Sequence, residues 1–208
     1  MAAAFEHLKK FSPVLRYPTA GGTQAVQDAL AAVAPQSEAA RELAALREFL
    51  DGKDLYTLEE EYTRTFDINP VVTLDVGFQL FGLAYKRGEF LVKMRQALAR
   101  CGMEQGTELA DYLPTLLELA AALPAGEDLA LVEECIAPAV KRMVAGLPDK
   151  AGGFAHGLKA LHAHLAANWG CSDIADPDLR DEAHDITEGY EYSPGDLDDL
   201  RLGVNRHV

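Results

Sequence analysis

Two aspartates beside aromatic residues carry the most chemical interest in this sequence. Asp67 closes the stretch EEEYTRTFD, Glu59 to Asp67, and Asp111 opens DYLPTLLE, so each sets a carboxylate at the edge of an apolar helical segment. Capping and core packing account for such residues in general. Asp111 suits an N-cap, because Pro114, three residues on, falls in the first turn, where a missing N–H costs nothing. Asp67 fits that account less well. It stands at a helix C-terminus, where the macrodipole disfavours an anion, and the apolar run after it has no period that would bury all of it. A carboxylate in an unfavourable place beside spare apolar surface predicts a groove for something cationic and greasy.

Other chemistries are poorly served. His156, His162, His164 and His184 near Cys171 invite a metal, but positions 162 and 164 cannot face the same way on a helix. No carboxylate or cysteine completes the spacing of structural zinc, so solvated histidines are expected and no metal. Ser12, Ser37, Ser172 and Ser193 fall in caps, turns and the tail, none of them on the elbow motif of a nucleophile. Neither a phosphate loop nor a dinucleotide fingerprint occurs. Any two of the 33 acidic residues could meet as a carboxylate pair, which is weak ground for an enzyme. The chain is therefore expected to have no catalytic residue and no cofactor.

The elements that must position the two aspartates read as helices. Phe5, Leu8, Phe11 and Leu15 predict one from about Ala3 to Arg16, stopped by Tyr17-Pro18 and Gly21-Gly22. A second follows Thr23, with Val26, Leu30 and Val33 inward, and Ser37 is the N-cap of a third built on Leu43, Leu46, Phe49 and Leu50. In the fourth, Leu55, Leu58, Tyr62 and Phe66 line one face, while Glu59, Glu60 and Arg64 point elsewhere, Glu60 and Arg64 as an i,i+4 pair. After Pro70, VVTLDVGFQLFGLAYKRG has no clean period and predicts a short helix between irregular pieces. Helical order resumes near Glu89 with Phe90, Leu91, Met94 and Leu98, then again with Leu113, Leu116, Leu117 and Ala120. A stripe from Leu129 through Val132, Ile136, Val140 and Met143 to Leu147 is kinked or split by Pro138, and Phe154, Leu158, Leu161, Leu165 and Trp169 form the last.

Composition agrees with an all-α chain: 49% of the 208 residues are hydrophobic, many of them Ala and Leu, with few Val-Ile-Thr runs. Three cysteines without a C-x-x-C make no disulfide framework and indicate the cytoplasm. No stretch approaches the roughly 18 uninterrupted apolar residues of a membrane span, and the N-terminus lacks the apolar core of an export signal. A net charge of −14 excludes nucleic acid as the main partner, because phosphate binding needs a positive surface. The excess is uneven, with −8 of it between Asp173 and Val208. The reading is a helical domain over 1–170 and an acidic, loosely structured tail over 171–208, with Ile186, Tyr190 and Tyr192 as its possible anchors.

In EEEYTRTFD, in YKRGEFLVKM (Tyr85 to Met94) and in ELADYLPTLLELA (Glu108 to Ala120), the sequence resembles the NarJ/TorD family of molybdoenzyme assembly chaperones. The likeness covers most of residues 1–170. The run VTLDVGFQLFG followed by YKRG is most similar to the branch serving periplasmic type II DMSO-reductase-like enzymes, whereas the nitrate reductase branch usually carries histidines there. The resemblance implies a single-domain helical bundle and a chaperone that is not an enzyme. Its partner would be the catalytic subunit of a molybdenum oxidoreductase, bound through its twin-arginine leader or N-terminal region. The subunit would be held in the cytoplasm until the molybdenum cofactor is inserted, which brings cofactor-loading proteins into range. By the motif match, Tyr62, Phe66, Asp67, Asp111, Tyr112, Leu113 and Pro114 line or support the peptide-binding surface. The competing reading is a permanent helical adaptor subunit that uses the aperiodic segment Val71 to Tyr85 as its interface.

Overall fold

Segments with apolar residues at three- and four-residue spacing fold as helices throughout residues 2–68 and 72–169, the part of the chain that the computed structural model describes. The helices are α1 (Ala2–Lys9), α2 (Ser12–Leu15), α3 (Gly22–Ala32), α4 (Glu38–Leu50), α5 (Leu55–Phe66), α6 (Val76–Phe81), α7 (Tyr85–Arg100), α8 (Leu113–Ala122), α9 (Glu127–Ala130), α10 (Ala137–Ala145) and α11 (Ala155–Trp169), with a π-helical turn, Leu131–Ile136, between α9 and α10. Among the described residues the one extended pairing is an antiparallel bridge between Asp75 and Tyr112. The expected boundary at 170 and the acidic tail, with Cys171, Ser172, His184, Ile186, Tyr190, Tyr192 and Ser193, lie outside the described residues, as does Pro70.

Local chemistry sets the ends of these elements. The first expected helix is two, because the Pro13 ring has no N–H and crowds the carbonyl of Lys9, where α1 ends; the stripe Phe5, Leu8, Phe11 and Leu15 is buried all the same. Ser37 caps α4 as expected, its Oγ accepting from Ala40 N at 3.1 Å. Asp54 caps α5 in the same way, accepting from Thr57 N at 2.8 Å. Pro138 splits the long stripe, and the wide π turn before it keeps Val132, Ile136, Val140 and Met143 on the inner side, all fully buried.

The core draws on nearly every helix, with α8 and α11 contributing many of its fully buried residues. α11 packs along α4 and against α10, α8 against α1 and α2, α3 against α4, and α6 against α7 and α10. Ser12 Oγ and Arg16 reach from α2 to Glu118 on α8, at 2.6 and 3.1 Å. Arg142 of α10 donates to the Gln79 carbonyl at 2.7 Å and so answers the open C-terminal end of α6.

From Val72 on, the aperiodic segment turns inward. Val72, Leu74, Val76 and Leu80 are buried, and only at its end do Leu83, 89% exposed, and Tyr85 face outward. Burying irregular chain requires partners for its backbone. The bridge provides them, with Val76 N donating to Asp111 O and Leu113 N to Leu74 O, each at 2.8 Å. Most of the segment is core, which removes the continuous interface that a permanent adaptor would use.

Candidate functional site

Three elements meet at one carbonyl beneath the predicted surface. The Tyr62 hydroxyl, from α5, donates to Leu15 O at the end of α2 at 2.8 Å, and the Tyr112 hydroxyl, just before α8, lies 3.2 Å from the Tyr62 hydroxyl and 3.4 Å from the same carbonyl. Burial and the neighbouring phenol push the Tyr62 hydroxyl well above its usual pKa, so it stays a neutral donor. Phe66 packs edge-on against Tyr62 at 4.9 Å, and Phe154 and Tyr17 do so at 5.4 Å. Tyr62, Phe66, Tyr112, Leu113 and Pro114 are all buried; they form a supporting wall and not an exposed lining. Tyr62→Phe removes one buried hydrogen bond while Tyr112 remains near the carbonyl, so a loss of about 1 kcal/mol is expected in urea unfolding.

Asp111 corrects the sequence reading. It is not the N-cap of α8: Tyr112 holds that position, and no side chain caps the helix there. The Asp111 backbone is committed to the bridge, and its side chain, 0% exposed, accepts from Arg87 Nε at 3.0 Å. Arg87 Nη2 lies 3.3 Å from Asp75, and the guanidinium stands 5.5 Å from the centre of the Phe78 ring. Burial raises the Asp111 carboxyl above the usual range, with the guanidinium pulling the other way. The room for this pair comes from Gly77, where a Cβ would fall 2.7 Å from Asp111 Oδ2 and 2.9 Å from the Phe90 ring.

Asp67 alone of the predicted set faces solvent. It ends α5, its N–H donating to Thr63 O at 2.9 Å, and among the described residues no cation pairs with its carboxylate. Partial burial and the negative charge of Asp75 hold that carboxyl above its usual pKa. The i,i+4 spacing of Glu59, Thr63 and Asp67 sets all three along one side of α5. Beside Glu59 and Thr63 runs a groove of about 330 Å³ lined also by Tyr17, Tyr56, Glu60, Arg64 and Ile68, with Asp67 just beyond its lining. Tyr56 is 77% exposed and Ile68 70%, and Tyr17 is half-exposed, so the groove carries exposed apolar surface together with Glu59. Glu60, also on this groove, is neutralised by Arg64 at 2.8 Å, as its spacing predicts, whereas Glu59 has no cationic partner among the described residues.

Next to Asp67 the exposed apolar surface lies at Tyr17, Tyr56 and Ile68, none of them a predicted site residue, while Leu83, Tyr85, Val92 and Leu109 are exposed elsewhere. The sequence predicts a helix terminator at Tyr17 and a solvated face at Glu59. One signal was available: Tyr56 falls off the Leu55, Leu58, Tyr62 and Phe66 stripe and onto the side shared by Glu59 and Thr63.

The histidines also differ from expectation. His164 is buried between Phe11 and Trp169 and is not a solvated residue, whereas His156 stays partly exposed with its Nδ1 2.7 Å from Glu42. No cluster able to hold a metal occurs among the described residues, and none of their helices is long and apolar enough to cross a membrane. The family model described as nitrate reductase delta subunit matches residues 34–167, which run from just before α4 into the last turn of α11. No curated protein matches the chain.

Proposed function

The chain belongs to the nitrate reductase delta subunit family, and from that membership we propose that it is an assembly chaperone for a molybdenum oxidoreductase. It binds the twin-arginine leader or N-terminal region of the catalytic subunit, in the cytoplasm, and holds it while the molybdenum cofactor is inserted. It acts by binding and not by catalysis. The client belongs to the type II DMSO-reductase-like class, a choice supported by the run VTLDVGFQLFG, which lacks the histidines of the nitrate reductase branch.

The observation that carries this reading is the groove on α5, where the unpaired carboxylate of Glu59 lies between exposed Tyr56, Tyr17 and Ile68. Exposed ion pairs contribute only about 0.2–1 kcal/mol each, whereas burying one large apolar side chain contributes about 1.5–3 kcal/mol. Micromolar affinity needs about −8 kcal/mol after association costs, so apolar contact sets affinity while Glu59 and Asp67 set orientation and on-rate.

Asp67→Asn tests this directly. The wild-type carboxyl is held above its usual pKa, so the folded state disfavours its charge, and removing that charge leaves Tm unchanged or slightly higher at pH 7. Affinity for an arginine-bearing leader peptide is expected to fall about 2- to 5-fold, with a shallower salt dependence. Unchanged affinity together with an unchanged salt dependence removes Asp67 from the site.

A further inference from the structure

Beyond Tyr17 lies a second groove of about 410 Å³, between the α2–α3 turn and the start of α5. Its floor is Val14, Val26, Leu50, Leu58 and Phe154, and its rim carries Arg16 and Lys53. Among the described residues no acidic one lines it. The two grooves share the Tyr17 ring, held edge-on against buried Tyr62, as their common wall. The two differ in character: unpaired Glu59 and the Glu60–Arg64 ion pair line the groove on α5, while hydrocarbon with two cations lines the other. The α2–α3 wall lies outside the span matched by the family model.

Resting on the chaperone reading, we propose that this groove is a second subsite for the same client segment. The groove on α5 takes the cationic residue, and the groove beyond Tyr17 takes two or three large apolar side chains adjacent to it in sequence. Volume supports the count, because a cavity of about 150 Å³ accommodates one benzene-sized group. Reach supports the adjacency: one aromatic side chain separates the grooves, a span of about 10 Å that three extended residues cover. Charge fixes the polarity. Arg16 is paired with Glu118, whereas Lys53 meets only the neutral Phe49 carbonyl, so the charge left on Lys53 disfavours a second cation at the apolar end. The favoured occupant is basic at one end only. Tyr17 acts as the divider that sets the spacing between its two halves.

The test uses the full chain and two labelled synthetic peptides, one with two arginines followed within three residues by four leucines, the other with those leucines replaced by serine. Ala25→Trp fills the groove from half-exposed Ala25 on α3. It is expected to weaken the leucine peptide tenfold or more while leaving the serine peptide unchanged, whereas Glu59→Gln weakens both peptides by the same factor. Thr23→Trp, at the exposed mouth of the same groove, gives the same reading if Ala25→Trp lowers Tm. Peptide binding that is indifferent to both tryptophans, or weakened equally for both peptides, overturns the second subsite and leaves the chaperone reading standing. Binding of neither peptide by the unaltered protein overturns both.

Discussion

Arg87→Met is expected to destabilise the fold by about 3–5 kcal/mol, more than any other single surface-reaching substitution considered for this chain. The reason is the partner it abandons. Asp111 is 0% exposed and accepts from Arg87 Nε at 3.0 Å, while its Oδ1 has no hydrogen-bond partner among the described residues. Without the guanidinium, a buried carboxylate must remain charged at a heavy desolvation cost or take up a proton. The pH dependence follows from the sign of that choice. Burial already holds the Asp111 carboxyl above its unfolded value, and losing Arg87 raises it further. The penalty is then fully present above the folded pKa and is relieved as pH falls through it, so the deficit of the variant is smaller at pH 5 than at pH 7.5. Adding Asp111→Leu removes the stranded charge and should recover most of the loss, as replacement of a whole buried pair by apolar residues commonly does. Urea midpoints for the two single variants and the double variant at both pH values check this. A double variant no better than Arg87→Met would show that the pair is not the source of the cost.

That pair also marks where sequence reasoning stopped. Ser37 and the Glu60–Arg64 pair were legible because each interaction closes within four residues, and the helical stripes were legible because burial follows a local period. Asp111 offered two local meanings, cap or rim, and the structure gives it a third through an arginine 24 residues away. Only the backbone bridge between Asp75 and Tyr112, a tertiary feature, decides among them. The groove was illegible for a related reason. Its exposure at Tyr17, Tyr56 and Ile68 depends on which neighbours fail to cover them, and a missing neighbour leaves no periodic signal. The predicted motif and the groove share one helix, α5. Tyr62 and Phe66 are buried on the inner side of α5, and Glu59 and Asp67 stand at the two ends of the same stretch on its other side.

His164 was legible in principle, since Gly157, Leu161 and His164 follow i, i+4, i+7 on the buried face of α11, and it yields the second large effect. The ring is 5% exposed, packs 5.1 Å from Phe11, and leaves Nε2 without a hydrogen-bond partner among the described residues. Burial, helped by His7 on α1, lowers its pKa from 6.5 to about 4. A folded pKa below the unfolded one means that the unfolded chain takes up the proton first. Stability is therefore full above pH 6.5 and is lost as pH falls from 6.5 toward 4. A gap of about 2.5 pH units, at about 1.4 kcal/mol per unit, makes the loss roughly 3 kcal/mol. Asp67 and Asp111, whose carboxyls are raised, oppose it over part of the same range, since acid relieves their charge. The informative quantity is thus the difference between the wild type and His164→Leu. At pH 7.5 the variant should be at least as stable, having lost a buried ring nitrogen with no partner; by pH 4.5 it should be ahead by about 2–3 kcal/mol. Chemical denaturation at half-unit steps measures this, and parallel curves for the two proteins would place the acid sensitivity elsewhere in the fold.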